Sequence, residues 1–152
     1  MSRIPRILLP LAVAWLVPAS SLAEEVLIQL GSPAKYQANY SNPGIGQSWT
    51  AEIFDDSGWS AGTYGLGYEQ NPPGAGALIQ AAVSPGAFSV YSRTAFTMTD
   101  VTQITNVRIA ADYDDGYVAW INGVEVYRSP EMPAGTPLWN SNASLHESSN
   151  GA

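Results

Sequence analysis

Three carboxylates stand within four residues in the stretch "ADYDDGY", where Asp112, Asp114 and Asp115 precede Gly116. Calcium takes six to eight oxygen ligands, including carboxylates and backbone carbonyls, and a glycine lets a loop turn its carbonyls inward. The stretch is therefore a candidate calcium site. The alternative is a plain turn, because Asp side chains hydrogen-bond to nearby backbone groups and Gly116 allows a sharp bend.

A second candidate site follows directly, with two aromatic residues, Trp120 and Tyr127, on either side of Glu125. A sugar ring presents apolar C–H groups that stack on aromatic rings, while carboxylates and amides bind its hydroxyls. These three residues are our candidate carbohydrate-binding residues. The alternative is packing, with the rings covered by residues 64–68 or by a neighbouring domain.

The sequence carries no pattern typical of a catalytic site. It has no cysteine and a single histidine, His146, which excludes a catalytic thiol and a histidine-rich metal centre. Ser144 lies near His146, but the G-x-S-x-G elbow of serine hydrolases is absent. Asp55 and Asp56 are typical turn residues, and the nearby Trp59 is a candidate core anchor. We expect no catalysis by this chain.

The pair Asn122-Gly123 predicts a β-hairpin with a type I′ turn, because both turn residues must adopt positive φ. A two-residue turn also fixes the register of the two strands. Counted outward from the turn, the predicted pairs are Ile121 with Val124, Trp120 with Glu125, Ala119 with Val126, and Val118 with Tyr127. The first and third pairs form a wholly apolar face, which we expect in the core. The second and fourth pairs carry the candidate carbohydrate site on the opposite face.

The rest of the chain consists of short β-like runs between turn residues, since 14 glycines and 11 prolines are dispersed through it. Besides the hairpin strands, over residues 117–121 and 124–128, we predict strands over residues 25–30, 88–98 and 104–113. Several short strands with one apolar face each favour an all-β fold, an antiparallel β-sandwich.

The N-terminal residues have the layout of a secretory signal peptide. Arg3 and Arg6 precede an apolar run over residues 7–17, and small residues follow, which predicts cleavage after Ala23. The apolar run is shorter than the ~20 residues of a membrane-spanning helix. We therefore divide the chain into a signal peptide, residues 1–23, and a β-sandwich module, residues 24–152, that is secreted or extracytoplasmic.

The net charge of the chain also indicates which classes of binding partner to expect. It carries 13 acidic against six basic residues, a formal net charge of −7, and two of the basic residues belong to the predicted signal peptide. Such a surface repels a phosphate backbone, so we expect no nucleic-acid binding. An acidic surface suits an exported protein or one that holds cations.

The motifs together resemble a bacterial secreted module of the galactose-binding-like jelly-roll type. The matching stretches are "LIQLGSPAKY" (27–36), "FDDSGWSAGTYGLGY" (54–68), "VYSRTAFTM" (90–98) and "YDDGYVAWINGVEVYRSPEMPAGTPLW" (113–139). The resemblance implies a jelly-roll sandwich beside other domains of a larger exported protein, such as metallophosphatase-like or lamin-tail-like domains. The segment around Asp114 and Asp115 is also similar to PA14-type modules, in some of which adjacent aspartates hold a calcium ion that contacts sugar hydroxyls.

In the jelly-roll family further strands follow the segment "PAGTP", whereas here "NASLHESSNGA" is polar and turn-like. We therefore expect the module to be truncated, with C-terminal strands missing. Our functional hypothesis is a non-catalytic module that binds carbohydrate or a cell surface as part of a larger exported protein. The alternative hypothesis is an N-terminal structural domain of a secreted hydrolase, without a ligand site of its own.

Overall fold

The computed structural model describes residues 25–70 and 74–149. The predicted signal peptide, residues 1–23, lies outside the described residues. Across the two described ranges, no helix is long and apolar enough to cross a membrane.

The described chain is built of seven short strands and three short 3-10 helices, with no α-helix in the same residues. This composition confirms the all-β class predicted from the dispersed glycines and prolines. The strands are β1 (Pro33–Asn39), β2 (Ser60–Thr63), β3 (Leu66–Gly67), β4 (Ala81–Ala82), β5 (Ser89–Arg93), β6 (Val118–Ile121) and β7 (Val124–Arg128). The 3-10 helices are Ser48–Thr50, Gly74–Leu78 and Val101–Gln103.

The largest sheet has three antiparallel strands in the order β2-β1-β5. The central strand β1 pairs through Lys35 with Ala61 of β2 on one side and with Arg93 of β5 on the other. Strands β3 and β4 form a separate two-residue parallel pair. The sheets are therefore small, and the two larger ones, this sheet and the hairpin of β6 and β7, are antiparallel.

The hairpin β6–β7 confirms the predicted turn. Asn122 and Gly123 have φ values of 49° and 82°, as a type I′ turn requires, and Ile121 pairs with Val124. Trp120 pairs with Glu125, also as predicted. Beyond this point a β-bulge shifts the register, so Ala119 pairs with Tyr127 instead of Val126. The outer half of the predicted register is therefore wrong.

The hydrophobic core is a cluster of aromatic rings, in which Trp49, Trp59 and Tyr91 are all buried. Trp49 stacks on Tyr91, with ring centroids 4.3 Å apart and planes 12° from parallel. The ring of Trp59 lies 6.2 Å from that of Trp49, and Phe54 and Trp120 pack around the outside. This arrangement confirms Trp59 as a core anchor.

The face of the hairpin that packs on this core is the opposite of the one predicted. Val124 and Val126, expected in the core, are 65% and 44% exposed. Trp120, on the face predicted to lie opposite the core, instead packs against Trp49. The reason is physical: an indole ring offers far more apolar area to bury than a valine side chain, so the aromatic face packs inward.

Two predicted strands are wrong. Residues 25–30 and 104–113 contain no strand, and the first strand of the described chain is β1, which begins at Pro33. Val107 and Ile109, on the predicted apolar face of the second segment, are 56% and 41% exposed. Alternating apolar residues favour a strand only where a neighbouring strand completes the hydrogen-bonded ladder, and neither segment has such a neighbour. The predicted strand over 88–98 is present but shorter, ending at Arg93.

Candidate functional site

Two of the three predicted carbohydrate-binding residues, Trp120 and Glu125, line one surface depression of about 370 Å³. We call it the acidic depression, because Glu125 is the one charged residue of its lining. It lies between the β6–β7 hairpin, the segment around the first 3-10 helix and the loop after residue 134. Its lining consists of Gln47, Thr50, Trp120, Gly123, Glu125, Gly135, Thr136 and Pro137.

Trp120 is held in place by the core cluster. Its ring packs edge-to-face on Trp49, with centroids 5.3 Å apart and an interplanar angle of 73°. The side chain is half-buried, and the same residue lines the acidic depression. Its pairing with Glu125 places both side chains on one face of the hairpin. The depression therefore combines an aromatic wall with a carboxylate.

Glu125 is oriented by an arginine three residues away on the same strand. The guanidinium of Arg128 donates from Nε and Nη2 to the two carboxylate oxygens, at 2.8 and 2.7 Å. These hydrogen bonds lower the pKa of the Glu125 carboxyl below its usual value. Because the Glu125 side chain is still 37% exposed, its charged oxygens remain open to a ligand hydroxyl. The pair is a charged but locally balanced hydrogen-bonding group.

The sequence patterns did not identify Gln47, which forms the opposite side of the acidic depression. Its Nε2 donates to the backbone oxygen of Pro137 at 2.6 Å, and Thr50 Oγ1 donates to the backbone oxygen of Gln47 at 2.9 Å. The first bond joins the two loops that line the depression, and the second lies within the segment that carries Gln47. No sequence signal marks Gln47, since its partner Pro137 is 90 residues away.

Arg93 anchors the segment that carries Gln47 and Thr50. Its Nη1 donates to the backbone oxygens of Trp49 and Ala51, and its Nε forms an ion pair of 2.8 Å with Asp56. Its guanidinium also lies over the ring of Phe54, 5.4 Å from the centroid. Arg93 on β5 thereby fixes this segment to the three-stranded sheet.

Tyr127, the third predicted carbohydrate-binding residue, does not line the acidic depression. The bulge that pairs Tyr127 with Ala119 turns its side chain to the other face of the hairpin. There it stacks on Tyr117, with ring centroids 5.2 Å apart, and is 40% exposed. The role of Tyr127 in ligand binding remains a prediction.

The candidate calcium residues are close in sequence but make separate contacts. Asp112 accepts hydrogen bonds from the backbone N–H and the hydroxyl of Ser149, which lower the pKa of its carboxyl. Asp114 and Asp115 are exposed. Among residues 25–70 and 74–149, no group of three or more His, Cys, Asp or Glu side chains is arranged to hold a metal ion. Calcium binding stays a prediction.

The Asp-Asp-Gly turn itself differs from the expected one. Asp115, with φ of 60°, is the residue in the left-handed conformation, and its N–H donates to the backbone oxygen of His146 at 2.8 Å. Gly116 is needed for a different reason: a Cβ there would lie 2.8 Å from that of Ala143. The turn therefore connects the hairpin to the C-terminal segment.

Comparison of the chain with protein-family models, with curated proteins and with solved structures gives no significant match. What the acidic depression can bind is therefore inferred from its own side chains. It offers one aromatic ring, one carboxylate, one side-chain amide and two threonine hydroxyls on an open surface. The aromatic ring can stack against a ring of the ligand, and the polar groups can hydrogen-bond to its hydroxyls.

Proposed function

We propose that this chain is a non-catalytic carbohydrate-binding module and that its ligand occupies the acidic depression. The observation that carries the proposal is the convergence of Trp120 and Glu125 on one depression with Gln47 and Thr50, contributed by a distant part of the chain. An aromatic surface with a few fixed polar groups is the usual composition of a small-ligand site.

The chemistry of the lining favours a sugar over other small ligands. A pyranose has C–H groups that pack on an indole and hydroxyls around its edge that reach polar groups. Glu125 accepts hydrogen bonds from such hydroxyls, and its pairing with Arg128 keeps it charged without leaving an isolated charge at the site. The open shape of the depression suits a terminal sugar or a stretch of a longer glycan.

We further propose that the module has the galactose-binding-like jelly-roll arrangement and serves a larger exported protein. The small antiparallel sheets and the Asn-Gly hairpin support this arrangement, together with the sequence resemblance. In that protein the module would hold a neighbouring domain near a glycan-bearing surface.

Glycan-array binding of the full chain, followed by calorimetry on each positive glycan, tests the function. The blocking variant is Thr136→Arg, which extends a long side chain over the acidic depression from an exposed position. Its matched control is Ala134→Arg, which adds the same charge to the same loop outside the lining. We expect the first variant to lower affinity at least about tenfold and the second to leave it within about twofold.

Glu125→Gln separates stacking from hydrogen bonding, because the amide keeps one acceptor oxygen and loses the charge. We expect it to weaken binding less than Thr136→Arg does. Absence of binding to every glycan by a folded chain, or equal affinity of the Thr136→Arg and Ala134→Arg variants, would overturn the proposal. The first of these results would favour the structural-domain hypothesis.

A further inference from the structure

A second depression, of about 330 Å³, lies beside the three-stranded sheet. We call it the neutral depression, because no Asp, Glu, Lys, Arg or His lines it. Its polar groups are the side chains of Gln37, Ser60 and Ser84, and its rings are those of Tyr36, Tyr40 and Trp59. No residue of this lining belongs to the acidic depression.

The floor of the neutral depression is rigid. Trp59 is 9% exposed and Val83 only 4% exposed, so both are held by the core. On one side, the ring of Tyr36 lies directly over Gly62, where a Cβ would be 2.9 Å from the ring. On another, the hydroxyl of Tyr40 donates to the backbone oxygen of Ser84 at 2.7 Å and joins two walls that are 44 residues apart. The cavity is therefore fixed before any ligand arrives.

From this lining we infer that the neutral depression is a second binding site, which takes an uncharged sugar ring. The rings of Tyr36 and of the exposed Tyr40 supply apolar surface for C–H groups, while the amide and the hydroxyls bind sugar hydroxyls. An amino sugar or a uronic acid finds no opposite charge in this lining. Desolvating its charge without a partner would therefore disfavour its binding.

The two depressions have a common neighbour in the core. Trp59 of the neutral depression and Trp120 of the acidic depression both contact Trp49, at 6.2 and 5.3 Å between ring centroids. Each site thus has its own tryptophan next to a shared one. The choice of carbohydrate as ligand class rests on the proposed function, whereas the position and neutrality of the second site do not.

Fluorine NMR of the full chain labelled with 5-fluorotryptophan tests the inference, because Trp59 and Trp120 each report one site. The probes are the methyl glycosides of glucose, galactose and mannose, with glucosamine and glucuronic acid as charged comparisons. We expect at least one neutral glycoside to shift the Trp59 resonance saturably, and the charged sugars to shift it at least about tenfold more weakly.

The blocking variant for this site is Ala82→Arg, which places a long side chain in the neutral depression from an exposed position. The control is Ser41→Arg, an exposed residue next to Tyr40 that lies outside the lining. We expect only Ala82→Arg to abolish the Trp59 shift. Thr136→Arg, which blocks the acidic depression, should leave that shift unchanged.

The outcomes keep the two proposals apart. A saturable Trp59 shift removed by Ala82→Arg supports the second site even if Trp120 never responds, which would count against the proposed function. A shift of Trp120 alone supports the acidic depression and overturns the second site. Absence of any shift up to about 100 mM glycoside, or a Trp59 shift that survives Ala82→Arg, also overturns the second site.

Discussion

The three-stranded sheet and the β6–β7 hairpin are both antiparallel and both present aromatic residues, yet they contribute differently to the fold. The sheet and the segments beside it carry Trp49, Trp59 and Tyr91, which are buried as one cluster. The hairpin inserts only Trp120 into contact with this cluster and leaves Val124 and Val126 exposed. Similar strand patterns therefore give different burial, because burial depends on what packs against each face.

Two ion pairs, one formed by Arg93 and one by Arg128, repeat this contrast. Arg93 joins Asp56 and backbone oxygens more than 30 residues away, whereas Arg128 joins Glu125 three residues away. The two pairs have nearly the same N···O distance, 2.8 and 2.7 Å. The first holds together distant parts of the fold, and the second orients one side chain. The N···O distance of a salt bridge therefore does not show how much the bridge contributes to the stability of the fold.

Removing the ring of Trp49 should have the largest effect. Trp49→Ala deletes a buried ring that contacts Trp59, Tyr91 and Trp120, so we expect the free energy of unfolding to fall by about 3–5 kcal/mol. Trp49→Phe should cost less, since the buried indole Nε1 has no hydrogen-bond partner among the described residues. Val124→Ala on the exposed hairpin face should cost at most about 0.5 kcal/mol.

Urea denaturation followed by circular dichroism measures all three variants. A loss for Val124→Ala comparable to that for Trp49→Ala would contradict the contrast between the two regions. It would mean that the valine face of the hairpin is buried after all, as its sequence pattern predicts.

The second prediction compares the two arginines. Arg93→Gln removes the ion pair to Asp56 and hydrogen bonds to backbone oxygens, and should lower the free energy of unfolding by about 2–3 kcal/mol. Arg128→Gln removes a surface pair and should cost at most about 1 kcal/mol. Chemical denaturation gives both values. Equal losses would show that the segment anchored by Arg93 does not depend on it.

The third prediction concerns the hairpin turn. Gly123→Ala forces a Cβ into a residue with φ of 82°, which should cost about 1 kcal/mol. The control is Gly67→Ala in β3, where φ is not in the left-handed range and a Cβ meets nothing within 4 Å. Thermal unfolding should show a lower Tm for the first variant and little change for the second. A neutral Gly123→Ala would mean that the turn is not type I′.

The smallest expected effect is a loss of stability in acid. Hydrogen bonds from Arg128 lower the pKa of Glu125, and those from Ser149 lower the pKa of Asp112. A carboxyl with a lowered folded-state pKa stabilises the fold above its unfolded pKa, and this contribution is lost as pH falls through the folded value. We therefore expect a small loss of stability below about pH 4.

Tm measured against pH for the parent chain and for Glu125→Gln checks this sign. The variant should lose less stability on acidification than the parent, because residue 125 no longer titrates. A Tm that rises as pH falls below this range would contradict the expected direction. High salt should reduce the difference, since both groups are near the surface.

The sequence predicted local features better than long-range ones. The all-β class, the Asn122-Gly123 turn and the core position of Trp59 were all predicted correctly. The turn depends on two adjacent residues, the class on residue composition, and the burial of Trp59 on its large apolar ring. The pairing of Trp120 with Glu125 followed from the turn geometry alone. Trp120 and Glu125 could therefore be named as candidate site residues before the rest of the site was known.

The other residues of the acidic depression could not be predicted from sequence patterns. Gln47 lines the acidic depression through a bond to Pro137, 90 residues away, and no local pattern indicates such a contact. The bulge before Tyr127 also has no turn residue to mark it, so the predicted face of Tyr127 was wrong. Each of these features depends on which segments meet in space.

By itself, the sequence determined the Asn122-Gly123 turn and the all-β class, because backbone preferences are set by neighbouring residues. Only the tertiary structure decided which hairpin face is buried, since Trp49 is available to pack against Trp120 and nothing described covers Val124. It also decided that residues 104–113 stay outside the sheets, because a strand forms only where a partner supplies its hydrogen bonds.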